Sequence, residues 1–189
     1  RRGPPVEAGV MLRIAPGGGV AEVFADGFRN HYDFDFNWRG DLLTYDSDVE
    51  RDYPLPWYTP TRVFKVEEGG HHGWRMEGYL RSWDRPGHYP DVVPPVARLG
   101  RGSPTGVVNY RHTQFPAAWR DGTFLADWTF GRIHFLPDAP AGSEVAPEWF
   151  LEAAGSNGFA PTDLEVTPAG ELLVSIGGLE VYRFLAQRG

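Results

Sequence analysis

Residues 33–45, DFDFNWRGDLLTY, align with residues 163–175, DLEVTPAGELLVS, without a gap at an offset of 130. Asp33 meets Asp163, Phe34 meets Leu164, Phe36 meets Val166, Gly40 meets Gly170, and Leu42-Leu43 meets Leu172-Leu173. Successive side chains of an extended chain point to opposite faces. Alternation on both sides of a short glycine turn therefore specifies an antiparallel hairpin. The pattern puts Phe34 and Phe36 on a core face, with Asp33 and Asp35 opposite. A looser copy spans residues 105–128, with a longer loop before Gly122-Thr123-Phe124-Leu125.

Each hairpin is followed by a further apolar strand: RVFKV (62–66), RIHFL (132–136) and EVYRF (180–184). A lone copy, VMLRI (10–14), precedes VAEVF (20–24). Repeated hairpins with outer strands are the pattern of propeller blades, each roughly 40–50 residues long. The expectation is an all-β chain: a partial β-propeller of about three to four antiparallel four-stranded blades. Residues 146–155 have room for a helical turn or two between Pro147 and Gly155. The chain reads as one segment, 1–189, cut from something longer. It starts at Arg1, and unclosed blades leave open sheet edges that favour self-association.

Composition removes several function classes. The formal charge is −7, so a basic nucleic-acid footprint is absent and no nucleic-acid partner is expected. No apolar run approaches the roughly 18 residues of a membrane span. Cysteine is absent, which excludes a thiolate nucleophile and a Cys-built zinc site. Lys65, the single lysine, lies in VFKVEEGG, not in a P-loop frame.

Three stretches carry candidate chemistry. Arg29-Asn30 precedes the first hairpin, and in a propeller the loops entering inner strands form the ligand face. Arg presents a fixed fork of donors and Asn offers both donor and acceptor. Asp46, Asp48 and Glu50 alternate at a strand exit and share one side of an extended chain. Oxygen donors at that density suit Ca²⁺; Arg51 or Arg62 would neutralise them instead. GGHHGWR (69–75) sets Trp74 in a glycine-rich turn, as a packing or stacking surface.

The stretches GFRN, FN, GDL, TYDSD, LPWY and PTRV, then GGHHGWR, then GSPTGVV, FPAAWRD and GRI, resemble a bacterial family. It is the membrane-bound dehydrogenase-like proteins, whose propeller is related to the glucose/sorbosone dehydrogenases that use pyrroloquinoline quinone (PQQ). The resemblance runs from about residue 20 to 185 and is specific at 27–75 and 86–133. It implies a six-bladed propeller with PQQ over the central channel, and hydride removal from an aldose or related alcohol with a His as base. Arg29 and Asn30 match the pair that contacts the quinone, and Trp74 matches an aromatic near it. The resemblance also implies a sugar or alcohol substrate, a cytochrome electron acceptor and a periplasmic or extracellular location. Two departures stand out. Phe28 occupies the place of a usual His, and Trp128-Thr129-Phe130 replaces basic residues. No His here matches the base, so the alternative is a non-catalytic propeller module that binds a glycan or partner protein.

Overall fold

Three tight turns set the frame. The computed structural model describes residues 8–49, 58–77, 81–85, 88–138, 140, 142–154 and 158–177. Within it, Gly40, Asp121 and Gly170 take left-handed backbone at φ 86°, 58° and 84°. Each turn closes the same way. The amide of Asn37 donates to Asp41 O, that of Tyr110 to Gly122 O and that of Thr167 to Glu171 O. The strands of the three hairpins thus correspond position by position, and the second differs in the length of its loop. In the looser copy the left-handed position falls to Asp121, beside Gly122.

Fourteen strands follow along the described chain. They are β1 (Gly9–Arg13), β2 (Glu22–Phe28), β3 (Phe34–Phe36), β4 (Leu42–Asp46), β5 (Thr61–Val66), β6 (Trp74–Glu77) and β7 (Arg81–Asp84). Then come β8 (Ala97–Gly100), β9 (Pro104–Asn109), β10 (Thr123–Asp127), β11 (Arg132–Leu136), β12 (Glu148–Glu152), β13 (Pro161–Val166) and β14 (Leu172–Ile176). Blade A is the four-stranded sheet β3-β4-β5-β8, and blade B is β9-β10-β11-β12. The pair β13–β14 is the inner half of blade C. The pairs β1–β2 and β6–β7 are two-stranded. All pairings in these sheets are antiparallel. The expected all-β blade architecture is therefore present. The strand expected at 180–184 lies outside the described residues.

Residues 148–152 form the outer strand of blade B, not a helical turn. Glu152, Leu151, Trp149 and Glu148 pair with β11, which satisfies backbone groups that a single helical turn would leave open.

The core lies between blades. Leu43, Tyr45 and Val63 of blade A pack with Val107, Leu125 and Leu136 of blade B. Val108, Phe124 and Ala126 of blade B pack with Leu164, Val166 and Leu172 of blade C. The pair β1–β2 covers the other side of blade A, where Met11, Ala25 and Phe28 meet Leu42 and Phe64. Burying each such side chain contributes about 1.5–3 kcal/mol, so these junctions, more than any single sheet, hold the fold together.

The innermost strand reverses the expected sidedness. Phe34 and Phe36 are 49% and 50% exposed, not core. The acids opposite them do the joining. Asp33 Oδ1 accepts the Phe34 amide and its Oδ2 accepts the Val107 amide, both at 2.8 Å. Asp35 likewise bridges the amides of Phe36 (2.7 Å) and Asn109 (2.8 Å). These carboxylates tie two neighbouring inner strands together along edges that have no further strand to pair with. Burial raises the Asp33 carboxyl above its usual range, opposed by the two amides.

Candidate functional site

The Arg29-Asn30 loop and the acids at the end of β4 meet directly. Asp46 is fully buried. Its Oδ2 accepts the Arg29 amide at 2.8 Å, and its Oδ1 accepts the Asn30 amide at 2.7 Å and the Ser47 amide at 2.9 Å. Arg62, one strand over and directly opposite in register, adds Nη2 at 3.3 Å from Oδ2. An ionised carboxylate offers about four lone-pair directions, and four donors take them. The Asp46 carboxylate is thus a clamp on the backbone of the loop that enters β3. It leaves the Asn30 side chain at the exposed surface and the Arg29 side chain half-buried.

Asp48 is also buried. Arg101 Nη1 lies 3.5 Å from its Oδ2, and the Tyr58 hydroxyl is at the same distance. Glu50 lies outside the described residues. Among the described residues, no three His, Cys, Asp or Glu side chains gather where they could share a cation. A Ca²⁺ ion at Asp46 would have to displace Arg62 or a backbone amide.

Trp74, the third residue matched to the cofactor, is only 3% exposed. It opens β6 after a turn packed tightly against β2, the strand that leads into Arg29-Asn30. The His72 ring stacks on Phe28 at 4.2 Å between centroids and meets Phe64 edge-on at 5.0 Å. His72 Nδ1 donates to Asp26 O at 3.0 Å, and its Nε2 is buried without a hydrogen-bond partner, an environment that favours the neutral ring. Burial pushes its pKa down to about 4. Gly27, at φ 78°, is required here, because a Cβ would lie 2.6 Å from the His72 amide. Arg29, Asn30 and Asp46 are therefore gathered at one loop, with the turn carrying Trp74 beside them and its indole inside.

Blade B repeats the clamp, which sequence reasoning missed. Asp127 holds the register position of Asp46, five residues beyond the position shared by Asp41 and Gly122. It is buried and accepts the Ser103 amide at 2.9 Å, as Asp46 accepts that of Asn30. It also holds the next turn, through the amides of Thr129 (3.1 Å) and Phe130 (3.4 Å). The signal was an Asp closing the second hairpin strand in blades A and B, where blade C has Ile176. Along the inner strands runs a groove of about 420 Å³ whose walls include Asp33, Asp35, Asn109, Arg111, Asp163 and Glu165.

No protein-family model and no curated protein matches this chain. Solved structures do. A glucose dehydrogenase superposes with TM-score 0.63 at 20% identity, over 81% of this chain and 42% of its own. The PQQ-bound form of an aldose sugar dehydrogenase from Streptomyces coelicolor gives 0.60 at 21%, over 88% and 45%. The apo-form of a soluble aldose sugar dehydrogenase from Escherichia coli gives 0.58 at 18%, over 81% and 43%. The chain spans less than half the length of these structures. At such identities the likeness carries the fold alone: this chain has the architecture of a β-propeller segment.

Proposed function

We propose that this chain forms part of a propeller oxidoreductase of the PQQ-dependent type, one that oxidises an aldose or a related alcohol. The observation that supports the reading is the clamped loop. Asp46 fixes the Arg29-Asn30 backbone at the entry to an inner strand and leaves Asn30 exposed. A solved structure of like fold is a PQQ-bound sugar dehydrogenase. Bound there, PQQ would supply the two-electron acceptor, with Arg29 and Asn30 as donors to its oxygens. The buried Trp74 fits that role less well, and acts by packing the turn beside the loop. The proposed surroundings are a small sugar or alcohol substrate, a cytochrome electron acceptor, and a periplasmic or extracellular location. No described helix is long and apolar enough to cross a membrane.

A second reading, a non-catalytic propeller module for a glycan or a partner protein, draws on Phe28. The position where the resembling family carries His is here a fully buried Phe between His31 and His72. Titration of PQQ against tryptophan fluorescence separates the two. The oxidoreductase reading expects saturable binding, weakened at least roughly tenfold in Arg29→Ala by loss of a charged hydrogen bond. Absence of any saturable quenching removes PQQ and leaves the binding-module reading.

A further inference from the structure

Against the outer part of blade A lies a second cavity, of about 250 Å³. Its described walls come from β5, β8 and the loops around them, all between Tyr58 and Arg98. Phe64, Val92 and Val93 supply apolar wall. Arg62, Arg85, Arg98 and His72 supply the charged and titratable wall, and no acid is among the described residues that line it.

Two features of this wall call for a ligand. The first is a row of charge across the sheet. Asp46, Arg62 and Arg98 are direct register partners on β4, β5 and β8. Arg62 Nη2 turns to Asp46 at 3.3 Å, and Arg98 pairs with Glu144. The order is acid, base, base, acid. Like charges directly opposite on neighbouring strands destabilise a sheet. Arg62 is only 3% exposed, so water screens the pair little. The cavity touches both arginines, and an anion lying between them would turn their repulsion into attraction.

The second is His72. Its Nδ1 donates to Asp26 O, and its Nε2 has no partner although the residue is fully buried. Native structures rarely leave a buried polar atom unmatched. Burial holds the ring neutral, which makes Nε2 an acceptor. It lacks a donor such as a hydroxyl, not a second anion. A carboxylate answers the arginines, and a hydroxyl on the same small molecule answers His72. The volume is that of roughly eight waters, room for an acid of a few carbons.

We propose that this cavity binds a small hydroxycarboxylate, with its carboxylate between Arg62 and Arg98 and a hydroxyl donating to His72 Nε2. Arg85, itself paired with Asp91, completes the cationic wall. The site is distinct from the Arg29-Asn30 loop and does not depend on PQQ. It backs on that loop all the same, because Arg62 serves both the cavity and the Asp46 clamp.

Titration calorimetry of the 189-residue chain with erythronate tests this, beside erythritol and butanoate. These keep the four-carbon chain, and each lacks one of the two recognition groups. Erythronate is expected to saturate one site per chain, with both comparators at least roughly tenfold weaker. Arg98→Gln and His72→Phe should each weaken erythronate roughly tenfold or more, and Arg29→Ala should leave it unchanged. Circular dichroism checks that each variant stays folded. The wild type gives a readout that needs no variant: the nitrogen resonance of His72 Nε2 should move on adding erythronate, while that of Nδ1 stays in place. No saturable erythronate binding, equal affinity for butanoate, or binding lost in Arg29→Ala but kept in Arg98→Gln would overturn the proposal.

Discussion

Blades A and B place an arginine opposite the clamping aspartate at the same register, and use it differently. Arg62 pairs across the ladder with Asp46, and Arg132 with Asp127. Arg62 is buried, turns toward Asp46 and lies 5.1 Å from the Phe64 ring. Arg132 turns outward instead. It lies over Trp149 at 4.5 Å and near Phe130 at 5.5 Å, with Glu152 at 3.7 Å. Asp127 relies on amides of its own two loops. The lesson is that the buried carboxylate at the end of the second strand is a device of the fold, present in both blades. The buried cation is added only in blade A, where the clamped loop carries Arg29-Asn30.

The largest effect should come from removing that cation. Arg62→Ala leaves Asp46 buried without its counter-charge and should cost about 3–5 kcal/mol in urea unfolding. Arg132→Ala loses a surface cation–π contact and a weak ion pair, and should cost about 1 kcal/mol or less. Equal losses in the two variants would mean that the blades do not differ in this way.

Acid should weaken the region around the blade A clamp next. His72 is held neutral in the folded chain, with its pKa lowered from 6.5 to about 4. Above pH 6.5 the folded and unfolded states bind the same number of protons at this site. As the pH falls below 6.5 the unfolded state gains a proton first, so stability declines until the folded pKa is reached. The full loss is about 3 kcal/mol by linkage. His72→Phe should flatten unfolding free energy between pH 6.5 and 4. Burial also lowers the pKa of His134 in blade B, so a residual slope of the same sign should remain. An unchanged slope in His72→Phe would place the acid sensitivity elsewhere.

The clamps themselves come third. Asp127→Asn keeps one acceptor oxygen for Ser103 but loses the charge, and should cost about 1–3 kcal/mol. The smallest effect concerns calcium. With four donors already on Asp46, chelation should leave the melting temperature unchanged in wild type and in Asp48→Asn. A drop on chelation would mean that a bound cation stabilises the folded state, and would place Ca²⁺ among the acids of blade A.

Period-two alternation around a left-handed turn residue is a local property, so sequence sufficed for the hairpins, their repetition and the all-β class. Contact between Arg29-Asn30 and the acid closing β4 follows from the hairpin once it is paired, but in the sequence the two read as separate stretches. Sidedness was not legible. Phe34 and Asp33 alternate in any strand, and which of them faces a neighbouring blade depends on whether that blade is present. The charge at Asp46 was equally open on sequence grounds, because a run of acids suits calcium or arginine alike. Tertiary structure decided it by bringing Arg62 across the ladder and two loop amides onto one buried carboxylate, groups 16 and 17 residues away in the chain. Short-range periodicity determines which strands form; burial against distant strands determines what their side chains do.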